Sequence, residues 1–283
     1  MKVKLIECPR DAMQGLDTFV ATDLKVRYIN ALLQVGFETL DCGSFVNPGV
    51  IPQMADTAEV IKRIKMTETK LSVIVANTRG AASAVEFDEI SYLGFPFSIS
   101  EMFQKRNTNK SIDDAFETVE RIMELCTQHD KKFIAYLSMG FGNPYNDPWS
   151  PETVIHWIKK LKSIGVNFFS LSDTIGVSNP ERIESVIGKI KQELPNLNYG
   201  CHFHTRPDQW LEKIETAFNA GCRRFDGALK GFGGCPMAED ELVGNMPTEN
   251  MVAWFKSQNI ETGLNMDRFN EAMLLASEVF NNT

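Results

Sequence analysis

Short apolar, β-branched runs recur along the chain and alternate with longer stretches of helical period. Eight runs read as strands: 3–8, 37–43, 70–77, 89–95, 133–139, 167–174, 198–204 and 223–229. Between them, Leu24, Tyr28, Ile29, Leu32 and Leu33 follow a 3.6-residue period. So do Ala115, Val119, Ile122 and Met123, and Val154, Trp157, Ile158 and Leu161. C-terminal helices are expected from about residue 247, the last of them on Phe269, Met273, Leu274 and Val279. Nearly continuous hydrophobic strands alternating with helices are the pattern of a parallel sheet covered on both faces. Eight such units predict an α/β fold closed into a (β/α)8 TIM barrel of one domain. An open doubly wound sheet is the alternative, because residues 78–88 leave room for only a short helix between the third and fourth strands.

Composition narrows the function more than the fold. The 283 residues are close to the ~250 of a typical barrel of this kind. Twenty-nine basic residues face 37 acidic ones, a net charge of −8, and no basic run stands out. That pattern argues against nucleic acid or an anionic membrane as partner, and a polyanionic substrate would need a local basic patch. The start, Met1-Lys2-Val3-Lys4-Leu5-Ile6-Glu7, holds no apolar signal core. Six cysteines without a Cys-x-x-Cys spacing suit reduced thiols and a cytoplasmic location.

Unusual residues gather where the strands are expected to end, the mouth at which barrel enzymes carry their chemistry. Arg10 and Asp11 follow the first strand, Asp41 and Ser44 the second, Asn77 the third and Asp173 the sixth. His202-Phe203-His204 ends the seventh, and Gly231-Phe232-Gly233-Gly234-Cys235-Pro236 follows the eighth. Residues two apart on a strand share a face, so His202 and His204 suit two cis positions of a metal ion. The competing reading is a hydrogen-bonded pair of core histidines. Asp11 is the best-placed charged oxygen, because the first and eighth strands are neighbours in a closed barrel. Asn245 offers an amide oxygen, or else caps the helix after Pro247. Oxygen and imidazole donors suit Mg²⁺ or Mn²⁺, with Zn²⁺ as the alternative. Cys235 is an acid or nucleophile, or an inert thiol in a tight turn. Arg10 stabilises developing negative charge, or forms a structural ion pair. Asp173 orients one of the histidines, or caps the next helix.

Together these motifs resemble the 3-hydroxy-3-methylglutaryl-CoA lyase family, within a superfamily of metal-dependent barrel lyases and aldolases. Cys8-Pro9-Arg10-Asp11-Ala12-Met13-Gln14 resembles its G-P-R-D-G-L-Q. Ser44-Phe45-Val46-Asn47-Pro48 and Ile51-Pro52-Gln53-Met54-Ala55-Asp56 resemble S-F-V-S-P and V-P-Q-M-A-D. Ser100-Glu101-Met102-Phe103 with Asn107 matches another family stretch, and Ser172-Asp173-Thr174-Ile175-Gly176-Val177 resembles G-D-T-I-G-V. His202-Phe203-His204 matches H-C-H, the loop at Cys235 matches G-L-G-G-C-P, and Gly244-Asn245-Met246-Pro247-Thr248-Glu249 matches G-N-L-A-T-E.

The resemblance implies that Asp11, His202, His204 and Asn245 bind a divalent metal, that Arg10 stabilises an oxyanion and that Cys235 protonates the product enolate. It implies retro-Claisen cleavage of a small acyl-CoA substrate, with proton transfer assigned to His202, Asp173 or Cys235, and a homodimer by analogy. The chain departs from the family in four places, one of them the altered Pro-Tyr segment Met139-Gly140-Phe141-Gly142-Asn143-Pro144-Tyr145. Asp41 stands for Glu, Thr205 for Asp, and Gly15-Leu16-Asp17 lacks the basic residue that meets CoA phosphates. A CoA-independent aldolase of a related hydroxy acid, a condensing synthase and a non-catalytic metal-binding relative are the other readings.

Overall fold

A computed structural model describes residues 2–234 and 243–281. Eight parallel strands close into a barrel in sequence order: β1 (Lys4–Glu7), β2 (Thr39–Ser44), β3 (Lys70–Ile74), β4 (Ile90–Ser98), β5 (Lys132–Ser138), β6 (Phe168–Asp173), β7 (Asn198–Phe203) and β8 (Arg224–Gly227). The closing ladder pairs Lys4 through Glu7 of β1 with Arg224 through Gly227 of β8. The barrel expectation therefore holds, and the open sheet is excluded. The expected strands are all present, with shifted ends. The third stops at Ile74, because Asn77 turns the chain: its side chain accepts from the Gly80 N–H and caps the next helix.

The helices are α1 (Pro9–Gln14), α2 (Thr22–Leu33), α3 (Thr57–Arg63), α4 (Thr78–Ala84), α5 (Glu101–Thr108), α6 (Ile112–Gln128), α7 (Pro151–Ser163), α8 (Pro180–Glu193), α9 (Trp210–Ala220), α10 (Thr248–Ser257) and α11 (Met266–Asn281). The narrow gap between β3 and β4 is filled by the seven-residue α4. Side-chain caps start several of them, as at Ser150 for α7 and Asn179 for α8. One expectation on α11 fails. Leu274 is 74% exposed, while Phe269, Ala272, Ala276 and Val279 are buried. Leu274 lies five residues after Phe269, about 140° around the helix from it.

Two layers of packing result. Outward strand residues such as Leu5, Val73, Phe95, Phe169, Phe203 and Phe225 meet the buried helix faces. Inside the barrel, Ile74, Ile134 and Tyr136 pack with Tyr92 and Phe168. Above that apolar plug the inward positions turn polar, and the chemistry begins there.

Candidate metal and substrate site

Strand parity builds the site's floor. Ser170 and Ser172 on β6, His202 on β7 and Asp226 on β8 point inward, and the ladder sets Ser172 beside His202 and His202 beside Asp226. Asp11 comes from the first turn of α1, directly after β1. Its Oδ2 lies 3.5 Å from His204 Nε2 and 3.9 Å from His202 Nε2, and the two imidazole Nε2 atoms are 3.3 Å apart. All three residues are buried, with their ligand atoms within 4.8 Å of one another. Burial pushes the Asp11 carboxyl up, but Arg10, His204 and His202 outweigh it and hold Asp11 below the usual carboxylate range. The site keeps an anion between two imidazoles.

Asn245 completes the cluster through tertiary pairing. The segment after the glycine loop runs antiparallel to the end of β7, with His204 bridged to Asn245, and then parallel to β8, with Ala228 bridged to Pro247. Asn245 Nδ2 donates to Asp11 Oδ2 at 2.7 Å and to the Phe232 carbonyl at 2.9 Å. Gly233 makes room for this amide: at its φ of +105°, a Cβ would stand 2.5 Å from Asn245 Nδ2. Asn245 Oδ1 and His204 Nδ1 are buried and lack a partner. Two imidazoles, a carboxylate and an orphaned amide oxygen are a donor set that fits a divalent cation.

Arg10 forms the wall beside Asp11. Its guanidinium donates from Nη2 to Asp41 Oδ2 at 2.5 Å, from Nη1 to Asp11 Oδ1 at 2.7 Å and to Gln14 Oε1 at 2.9 Å. Burial alone would weaken the charge, but Asp41 and Asp11 raise the guanidinium further above its ordinary value. Arg10 is a fixed cation, as charge stabilisation requires. A cavity of about 450 Å³ opens above these groups, lined at its inner end by Arg10, Asp11, His202 and His204 and at its outer end by the α5–α6 turn.

A model of the HMGL-like family matches residues 2–275. The chain belongs to the HMGL-like family. The mitochondrial hydroxymethylglutaryl-CoA lyase of Macaca fascicularis is 34% identical over 96% of this chain and 83% of its own length. The human cytoplasmic 3-hydroxy-3-methylglutaryl-CoA lyase is 33% identical over 95% and 73%. The HMG-CoA lyase structure from Brucella melitensis superposes with a TM-score of 0.92 over 99% of both chains at 29% identity. That from Acinetobacter baumannii, in complex with coenzyme A and 3-methylmalate, gives 0.91 at 28% identity over 99% of this chain and 92% of its own. The relatives of this HMGL-like chain are thus lyases of the oxo-acid class, with both mitochondrial and cytoplasmic forms.

Within this HMGL-like site, one expected role changes, and Asp41 stands one layer behind the cavity. Asp173 does not orient a histidine. The ladder pairs it with Phe203 rather than His202, so its side chain leaves the barrel interior. Its carboxylate instead accepts from Lys213 Nζ at 2.8 Å and from the Val177 and Ser178 backbone, and so ties down the β6–α8 loop. Asp41 is fully buried behind Arg10 and does not line the cavity, so it positions the guanidinium. Cys235 lies outside the described residues.

Other members of the site escaped sequence reasoning. Asp226 Oδ2 lies 3.3 Å from His202 Nδ1 and accepts from Ser170 Oγ at 2.9 Å. Burial pulls His202 down, but Asp226 and Asp11 prevail and place the ring above its ordinary value. A carboxylate behind Nδ1 selects the tautomer that presents Nε2 to the cluster. Cys8 forms a second close group with His202 and Asp226, its thiol pushed up by burial. Gln14 Nε2 donates to Asp11 Oδ1 at 2.7 Å. The available signal for Asp226 was a carboxylate within the short eighth strand, Arg224-Phe225-Asp226-Gly227.

Proposed function

We propose that this chain is a divalent-cation-dependent carbon–carbon lyase that cleaves 3-hydroxy-3-methylglutaryl-CoA, or a close analogue, to acetoacetate and acetyl-CoA. The observation that carries the reading is the convergence of Asp11, His202 and His204 beside a fixed guanidinium at the inner end of one cavity. Membership of the HMGL-like family and the names of its relatives support it.

Asp11, His202, His204 and Asn245 would hold Mg²⁺ or Mn²⁺, with the Asn245 amide turned to present its oxygen. A cation there would supply Lewis-acid polarisation of substrate oxygens. The chain's own groups carry the rest. With Nε2 turned to the cation site and Nδ1 to Asp226, His202 serves as a ligand, and the Cys235 thiolate accepts the proton of the tertiary hydroxyl as the hydroxyl-bearing carbon becomes a ketone. The carbon–carbon bond breaks, and its electron pair passes to the acyl arm as an enolate. Arg10, held by Asp41, balances that developing charge. Cys235 protonates the enolate carbon to give the thioester product. Phe103 and Tyr136 on the cavity wall limit water around the enolate.

We place the reaction in the cytoplasm, consistent with free thiols at Cys8, Cys42, Cys126, Cys201 and Cys222. Among the described residues no helix is long and apolar enough to cross a membrane. The test is incubation of the purified protein with Mg²⁺ or Mn²⁺ and 3-hydroxy-3-methylglutaryl-CoA, following acetyl-CoA and acetoacetate. Cation-dependent release of both is the expected result. Stoichiometric cation binding without release would overturn the substrate and leave the CoA-independent aldolase in its place.

A further inference from the structure

The cavity has an outer end that the cleavage steps do not use. We propose that Lys110, seconded by Arg106, receives the phosphate-bearing end of a CoA thioester, so that this chain grips the carrier from the α5–α6 turn and not from the segment after β1. The inference rests on the CoA-thioester part of the reading above.

Among the described residues three Lys or Arg side chains line the cavity: Arg10, Arg106 and Lys110. Arg10 is committed at the inner end to Asp41, Asp11 and Gln14. The stretch after α1, Gly15-Leu16-Asp17, offers no cation. In a chain of net charge −8, a polyanionic carrier needs a local basic pair to enter, and this turn is where the cavity has one.

The backbone that carries Lys110 is held on both sides. Asn109 ends α5 in the left-handed region at φ 55°, its N–H bonded to the Lys105 carbonyl. Ser111 then opens α6 with a reciprocal capping box to Asp114, and Glu101 accepts from the Ile112 N–H. A phosphate contact mounted on such a turn costs little ordering on binding. Arg106 lies 4.9 Å over the Tyr145 ring, which fixes the plane of its guanidinium.

The electrostatics of Lys110 point the same way. Its Nζ donates one hydrogen bond, to Thr118 Oγ1 at 2.6 Å, which leaves two N–H donors. Among the described residues no carboxylate lies within ion-pair distance of it, and Asp114 is engaged by Ser111. Partial burial pulls the ammonium below its ordinary value; the field of Asp114 opposes this and that of Arg121 adds to it. Lys110 is thus a half-buried cation with no ion-pair partner among the described residues, and an arriving phosphate would supply one. The competing role is a fastener that ties the turn to α6 through Thr118.

The experiment compares the CoA thioester with the same acyl group on pantetheine, which carries no phosphate, using the cation-loaded enzyme. The wild type should prefer the CoA thioester, and raised salt should erode that preference. Lys110→Met should raise KM for the CoA thioester about tenfold or more, the loss expected for a charged hydrogen bond. The preference over the pantetheine thioester should collapse with it, Arg106→Met should act in the same direction, and Lys110→Arg should restore most of it. A Lys110→Met protein that keeps the preference, even with a lowered melting temperature, overturns the inference and leaves a fastener. Calorimetric binding of free CoA, which needs no turnover, separates the two readings. CoA binding weakened by Lys110→Met in a protein that cleaves nothing supports the phosphate contact while removing the lyase. A wild type that neither binds CoA nor prefers its thioester overturns the contact outright.

Discussion

Glu7 offers a test of the fold's energetics that does not depend on the reaction. It is fully buried on the outer face of β1, where Oε1 accepts from the Leu229 N–H at 2.7 Å and Oε2 lies 2.6 Å from Thr248 Oγ1. Burial drives its carboxyl from an ordinary 4.5 up to about 8, although Thr248 and Leu229 pull it back. In the unfolded chain the carboxyl ionises near 4.5, so between that pH and about 8 the folded protein holds one proton more. Stability therefore falls as pH rises across this window, by about 1.4 kcal/mol per pH unit, and by roughly 5 kcal/mol across the whole of it. Glu7→Gln mimics the protonated carboxyl: Oε1 still accepts from Leu229, and Nε2 donates to the Thr248 hydroxyl. The variant should lack the slope. Between pH 6 and 7.5 its advantage over the wild type should grow by about 2 kcal/mol, or about 4 °C in Tm for a domain of this size. Calorimetric melting of both proteins across that range is the assay, since other titrating groups cancel in the difference. A difference in Tm that stays flat with pH would refute the reasoning.

Other perturbations probe the site directly. Asp226→Asn removes the carboxylate behind His202 Nδ1 and should weaken Mn²⁺ binding about 10- to 100-fold by calorimetry, with an unchanged Kd counting against the carboxylate–histidine pairing. His204→Ala should abolish cation binding and turnover while the circular dichroism spectrum stays that of the wild type. Cys235→Ala should cut turnover by about 10² or more with the cation still bound, and an unchanged kcat would demote the thiol to a loop residue. Lys213→Met removes a buried ammonium that donates to Asp173, the Gly176 carbonyl and the His204 carbonyl; it should cost about 3–5 kcal/mol in denaturant unfolding, and a loss under 1 kcal/mol would refute the buried pairing.

The barrel, and the gathering of polar residues at one mouth of it, are legible in the local pattern. Alternation of strand and helix is a local pattern, and it predicted every strand, the short α4 and the gathering of polar groups at one mouth. His202 and His204 share a face because two-residue parity is a property of the strand itself, and Asp11 follows β1 wherever β1 goes. The direction of Asp173 is not legible in the sequence because it sits at the end of β6, where one residue of parity decides between the mouth and the outer core. The register of β6 against β7 made that choice, by setting Asp173 beside Phe203.

What the sequence determined by itself was therefore local: which segments are strands and helices, which residues alternate and which motifs lie at strand ends. The tertiary structure decided which of those residues meet. Asp226 stands behind His202 because β7 and β8 pair in one register, and Asn245 reaches Asp11 because its segment doubles back along the end of β7. Lys110 reaches the cavity because the α5–α6 turn folds over the mouth, far along the chain from Asp11 and His202. Closing a barrel fixes the stagger of all eight strands at once, so no single strand's pattern carries the information about which inward groups face each other.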